Sequence, residues 1–327
     1  MKREVQMGKY IFRRLIDLLP TIFVVAIIVF IITRMIPGDP ASVMLGPQAS
    51  VEDVQQLRED LGLNDPLYVQ FFQYIGDLVR GDFGISYSYN QPIVELIIER
   101  FPNTLVLAIS ALVIAFMIGV PAGIIAATKQ NSILDYGVML ISLIGVSMPI
   151  FWLGVMLVLY FSVNLGWFPA TGMGSMDEGL GSYLKHLILP SITLATIPMA
   201  TFARITRSSM LEVISLDYIK TARAKGLREF WVVCKHAFKN ALTPLLTVLG
   251  MQISMMLGGA VLTETIFSWP GMGRLIVDAI DKRDFVVVQG TVLFIAIIFV
   301  LVNLLVDVMY KVVNPRVSYS SSKGGAK

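Results

Sequence analysis

The chain has 327 residues, 55% of them hydrophobic and only 15% charged, with a mean hydropathy of +0.72 and a net charge of +3. Ionic side chains are too few for an ordinary water-soluble domain, so the length is better divided into apolar spans of about 20 residues, each crossing roughly 30 Å of hydrocarbon. A single cysteine, Cys234, excludes an internal disulfide, and two isolated histidines, His186 and His236, leave almost no material for metal or redox chemistry.

Residues 1–14 read as a cytoplasmic N-terminal segment and 15–35 as a first transmembrane helix, too long and too apolar for the core of a signal peptide. Residues 36–101 form an expected periplasmic helical cap. Within it Ser50 and Asp53 have capping-box spacing, Val51, Val54, Leu57 and Leu61 recur on one face, and Gly62 is placed to end a helix. Asp65 and Pro66 then read as the N-cap and first residue of a second helix, with Tyr68, Phe71, Phe72 and Tyr74 supplying apolar area and Gly81 a stop. Acids outnumber bases in this segment. It is either a solvated cover over helix ends or a docking surface for a soluble partner, with Glu52, Asp53, Glu59 and Asp60 as the candidate docking residues.

A core of residues 102–315 carries five further apolar stretches, near 105–127, 136–165, 187–203, 242–262 and 286–310, and 316–327 is a cytoplasmic tail. Lysine and arginine concentrate in alternate connections, which places both termini in the cytoplasm. Prolines such as Pro121, Pro149 and Pro198 are tolerable in bundled spans, where neighbours satisfy freed backbone groups. Trp167 and Trp269 suit an outer aromatic belt and Trp231 an inner one. On the fifth span, Met251 and Met255 give a flexible apolar face that suits a pathway wall or plain packing. Gly258 suits close helix contact or the same wall. Glu264 and Phe267, at the outer end, either line an outer gate or hold the following turn together.

The connection 204–241 is too long for a simple turn. Asp217 is positioned to cap a helix beginning at Tyr218, Arg223 and Lys225 lie in its last turn where the dipole favours cations, and Gly226 closes it. So short a helix is marginal in water and needs a surface to lie against. Residues 228–238 then lead through Asn240 and Pro244 into the fifth span. Alone, a basic loop also fits retention by lipid headgroups and the positive-inside preference. No Gly-x-x-x-x-Gly-Lys-Ser/Thr phosphate loop occurs, so the chain does not cradle ATP in that manner.

The run Asp217-Tyr218-Ile219-Lys220-Thr221-Ala222-Arg223-Ala224-Lys225-Gly226-Leu227, followed by His236-Ala237-Phe238-Lys239-Asn240-Ala241 and Pro244, resembles the cytoplasmic coupling loop of binding-protein-dependent ABC importer permeases. Arg34-Met35-Ile36-Pro37-Gly38-Asp39-Pro40, Leu61 to Leu67, Gly81-Asp82-Phe83-Gly84 and Glu264 to Gly273 resemble the oligopeptide, dipeptide and nickel branch, in particular the first permease subunit of a dipeptide or oligopeptide importer. The resemblance implies an all-α membrane protein with six transmembrane helices, the type I ABC importer permease fold. It implies a coupling helix formed by Asp217, Tyr218, Thr221, Ala222, Arg223, Ala224, Lys225, Gly226 and Leu227. The family often has glutamate where Thr221 stands, so an acidic contact to the ATPase is not implied here. It also implies no cofactor in this chain, ATP and Mg on two cytoplasmic ATPase subunits, a second homologous permease subunit, and a periplasmic or lipoprotein substrate-binding protein. The setting is a bacterial inner membrane; membrane lipid is a partner and nucleic acid is not. Peptides are the leading cargo, with nickel complexes and oligosaccharides as alternatives. An ion-coupled secondary transporter or channel would call for mid-span ionisable residues and repeated broken helices, and an embedded enzyme for a mid-span catalytic set; the sequence offers neither.

Overall fold

A computed structural model describes residues 2–35, 39–46, 48–175 and 179–313, and every regular element among them is helical. In order these are α1 (Lys2–Met35), α2 (Pro40–Leu45), α3 (Val51–Asp60), α4 (Leu67–Val79), α5 (Ile93–Thr128), α6 (Ile133–Ser147) and α7 (Ile150–Leu157), which a π-helical stretch continues over Val158–Asn164. There follow α8 (Leu180–Ile214), α9 (Asp217–Ala224), α10 (Glu229–Trp231) with a π-helical stretch Val232–Ala237, α11 (Phe238–Ile266), α12 (Met272–Asp281) and α13 (Phe285–Val313).

Helices α1, α5, α8 and α13 carry straight stretches long and apolar enough to cross a bilayer. Two crossings are bent, α6 with α7 by 103° and α11 by 50°, which makes six. The first bend has a local cause. Pro149 precedes α7 without an N–H to donate and drives Met148 into extended backbone, so α6 cannot continue through it. Helix α5 has 36 residues, about 54 Å at 1.5 Å each. It starts at Ile93, inside the segment expected to be cap, and is longer than the roughly 30 Å that a hydrocarbon crossing needs.

Small residues bring the helices together, because lipid offers no hydrophobic drive for association. A Cβ on Gly119 would lie 2.4 Å from the Met199 carbonyl oxygen, and one on Gly123 would lie 2.5 Å from that of Ala203, so α5 and α8 touch backbone to backbone. Gly258 does not serve this purpose: its Cβ position is open to 4 Å, and Gly250 against Val306 makes the close contact of α11 instead.

The segment between α1 and α5 is tied down by specific polar contacts. The Ser50 hydroxyl accepts the Asp53 N–H at 3.1 Å and donates to its carboxylate at 2.7 Å, and Gly62 follows α3 at φ +63°, as the sequence suggests. Asp65 is not a cap. Pro66 takes that position in extended backbone without a side-chain bond, and the Asp65 carbonyl accepts Gln70 Nε2 at 2.8 Å. Phe71 of α4 meets the edges of Phe23 and Phe30 of α1 at 6.1 and 5.3 Å between ring centres. Asp284, fully buried, accepts from Ser86 Oγ at 2.7 Å and Ser88 N at 2.9 Å, pinning the loop before α5 onto the start of α13. Burial, with the Asp284 charge added, pushes the nearby Tyr87 phenol up to about 12, while Arg34 opposes the shift.

Candidate coupling site

Helix α9 follows α8 after two residues and is held as a short rod. Leu216, in extended backbone, occupies the N-cap position and no side chain caps the helix. Asp217 is therefore not the cap read from the sequence. Its own backbone is already helical, and its carboxylate sits in the first turn, where the helix dipole favours it, and takes Lys220 Nζ at 2.8 Å. The other end is as expected: Lys225 closes the helix and Gly226 turns left-handed at φ +76°, its N–H donating to the Arg223 carbonyl at 2.9 Å.

One side of the rod is anchored and the other is open. Ile219 and Ala222, three residues apart, are buried against Met210 and Val213 of α8 and Val232, Val233 and Ala237 of the following segment. Burying an isoleucine side chain contributes roughly 1.5–3 kcal/mol, enough to hold a helix that would fray alone. The opposite side leaves Tyr218, Thr221, Arg223, Ala224, Lys225 and Gly226 exposed, with Leu227, Phe230 and Trp231 adding exposed apolar area. Thr221 spends its hydroxyl on the Asp217 carbonyl at 3.0 Å.

Two polar clamps fix the ends. At the N-terminal end the Tyr218 hydroxyl accepts Asn240 Nδ2 at 2.7 Å and donates to the His236 carbonyl at 3.4 Å, tying the rod to the start of α11. At the C-terminal end the Arg223 guanidinium forks onto Glu229, Nη2 to Oε1 at 2.6 Å and Nε to Oε2 at 3.1 Å. Those hydrogen bonds hold the Glu229 carboxyl below its ordinary range, with burial opposing them. Both side chains are well exposed, which limits the pair to about 0.5 kcal/mol. Behind the rod, the Asp135 carboxylate at the start of α6 receives Arg207 of α8 through two bonds of 2.5 and 2.7 Å and also accepts the Asn131 N–H at 3.0 Å. Nothing local in the sequence announces this lock between residues 72 apart. It fixes the C-terminal part of α8, from which α9 follows.

The other candidate residues divide. Met251, Met255 and Gly258 are exposed and share one face of α11. Glu264 and Phe267, read from the sequence either as an outer gate or as holding the following turn, are in the interior, at 0% and 1% exposure. The Glu264 carboxylate accepts Thr104 Oγ1 at 2.6 Å, Gly273 N at 2.7 Å and Arg274 N at 3.1 Å, so it caps α12 and holds the turn that follows α11. Gly271 is required there, since a Cβ would lie 2.2 Å from Glu264 Oε1. Trp269 likewise leaves the aromatic belt: it is fully buried, and its indole N–H donates to the Asn103 carbonyl at 2.9 Å. Glu52, Asp53, Glu59 and Asp60 are all exposed on α3. Residues 36–38 of the outer motif lie outside the described residues.

The chain resembles known proteins along most of its length. Residues 7–108 match the N-terminal component of binding-protein-dependent transport system membrane proteins, and residues 119–319 match the inner membrane component of those systems. The chain is 49% identical to the dipeptide transport system permease protein DppB of Alkalihalophilus pseudofirmus, over 95% of this chain and 99% of that one. It is 44% identical to the glutathione transport system permease protein GsiC of Escherichia coli, over 96% and 100%. Among solved structures, the methionine ABC transporter MetNI in an inward-facing conformation shares the fold at a TM-score of 0.54 and 19% identity, over 68% of this chain and 97% of its own. The six helical crossings and the matches along almost the whole chain have one meaning: this protein belongs to the family of binding-protein-dependent transport system inner membrane components, the permease subunits of ABC importers.

Proposed function

We propose that this permease subunit forms half of a peptide pathway in a bacterial inner membrane, beside a homologous second permease, and that α9 is the segment through which a separate ATPase subunit drives it. The observation that carries the reading is the form of α9: a two-turn rod anchored by Ile219 and Ala222, clamped at both ends by Tyr218 and Arg223, with an uncovered outer face. A lever transmits displacement only if it is stiff and fixed to what it moves, and α9 is fixed to both α8 and α11. Closure of two ATPase subunits around ATP and Mg would move two such rods together and shift the spans between inward-open and outward-open arrangements. The chain contributes no phosphate loop of its own. Peptide cargo is supported by the dipeptide and glutathione relatives. The exposed acids Glu52, Asp53, Glu59 and Asp60 are the proposed contact for a substrate-binding protein, and Met251, Met255 and Gly258 the proposed pathway wall.

The test is copurification and transport. Tagged protein drawn from mild detergent brings down an ATPase subunit, and peptide uptake into vesicles stops when ATP is withdrawn while a proton gradient is kept. Uptake that persists under the gradient alone, with no ATPase bound, would overturn the reading in favour of a secondary transporter.

A further inference from the structure

The fifth crossing does not start as a plain α-helix. Helix α10 passes directly into the π-helical turn Val232–Ala237 and then into α11, so one continuous helix leads from Glu229 into the bundle. A π turn closes its hydrogen bonds from i to i+5, holds one residue more than an α turn, is rare, and often marks a functional site.

The packing around the turn uses the extra residue. Val232, Val233 and Ala237 are all buried, in one core with Ile219 and Ala222 of α9. At about 100° per residue, an α-helix would set Val232 and Ala237 about 140° apart, on nearly opposite sides. Winding from i to i+5 brings both onto the side that meets α9, while Cys234 and Lys235 between them stay exposed.

Helix α9 bridges this turn with one clamp on either side of it. Arg223 forks onto Glu229 ahead of the turn, the shorter bond being 2.6 Å. Tyr218 takes Asn240 Nδ2 beyond the turn at 2.7 Å. Inside it, the His236 carbonyl receives the Tyr218 hydroxyl at 3.4 Å and Asn240 Nδ2 at 3.2 Å. If the turn tightened to α, the residue released would add about 1.5 Å of length and about 100° of rotation between Glu229 and Asn240. On a helix of roughly 5–6 Å radius that rotation carries a side chain through about 8 Å. Hydrogen-bonded clamps do not stretch so far, so α9 holds both only while the turn is π.

We propose that Val232–Ala237 is a register switch: π while α9 rests on both clamps, and α when closure of the ATPase subunits pulls α9 off one of them. A push on the rod then becomes a rotation of α11 relative to α10, and with α11 turns the face that carries Met251 and Met255. The switch rests on the coupling role given to α9 above.

Spin labels across the turn test it in the whole transporter in proteoliposomes. In a Cys234→Ser background, labels at Phe230→Cys and Lys239→Cys lie about 80° apart around the helix in the π register and about 180° apart in the α register, which lengthens their separation by about 4 Å. Dipolar broadening should therefore weaken between the nucleotide-free and the vanadate-trapped states. Deleting Cys234 supplies the second variant. It removes the extra residue and leaves the two flanks in their present relation as a plain α-helix, with no residue left to release. That chain should still bind the ATPase subunits and support ATP hydrolysis, yet lose ATP-dependent peptide uptake. A label separation equal in the two nucleotide states overturns the switch, as does wild-type uptake by the deletion. An ATPase subunit that copurifies and hydrolyses ATP while the labels stay fixed sinks the switch and spares the coupling reading; a wild-type chain that brings down no ATPase subunit sinks both. The label measurement decides even if the deletion fails to insert.

Discussion

Gly226 stops the rod at φ +76°, and a Cβ built there meets no atom within 4 Å. Substitution therefore costs only what the left-handed backbone costs, and the three informative replacements separate by that property. Asparagine visits this region readily and should be nearly silent. Alanine costs about 1–2 kcal/mol and valine more, because a branched Cβ crowds the following carbonyl. Since about 1.4 kcal/mol is tenfold in a population, alanine leaves the correct stop roughly an order of magnitude less favoured against a run-on helix. A run-on helix carries Glu229 out of register with Arg223 and releases the C-terminal clamp. In proteoliposomes holding the whole transporter, ATP-dependent peptide uptake should fall in the order asparagine, alanine, valine, while membrane insertion and ATP hydrolysis persist. Wild-type uptake by Gly226→Val would refute the reasoning. So would equal damage from asparagine and valine, which would show that side-chain volume at a partner surface decides, and not backbone handedness.

Asp135→Asn leaves Arg207 without its counter-charge in a largely buried setting, and should cost about 3 kcal/mol, read as a lower thermal midpoint in detergent. Adding Arg207→Gln should restore part of that loss, because the uncompensated charge is gone. Glu264→Gln puts an amide N–H against backbone donors that now share a carboxylate, and should cost about 2 kcal/mol of stability without changing which peptides are carried, as a structural and not a gating residue would. The Arg223–Glu229 clamp carries a definite pH sign. Glu229 is depressed in the folded state, so its contribution is present above the ordinary value of 4.5 and is lost only as pH falls through the lower folded value. Spin-label distances between positions 220 and 235 should accordingly stay narrow through neutral pH and broaden only below that value; Arg223→Gln should broaden them at neutral pH.

Features that act within one turn of the chain are legible in the residues themselves. The apolar stretches announce six crossings, the Ser50 and Asp53 pair announces a capped helix, and Gly226 announces a stop, because each rests on hydropathy or on backbone preference at one position. The misreadings share a cause. Asp217 and Asp65 are cap-forming residue types, but whether one caps depends on where the backbone turns helical, and the preceding Leu216 and the following Pro66 decide that. Trp269 is an amphipathic residue at a span end, yet it is interior, because its partner Asn103 arrives from a helix 166 residues earlier; the two roles open to Glu264 in the sequence are separated only by Thr104 of that same helix and the turn it holds.

Composition and charge asymmetry thus determined by themselves that the chain crosses a membrane several times, since solvent partition follows from residue types alone, and the order of its motifs carried the resemblance to importer permeases. Tertiary structure alone decided which acids are locks, which glycines are contacts and which face of α9 is left open. Those properties belong to pairs of distant residues, and a pair interaction is fixed only when packing brings its two halves within hydrogen-bond reach.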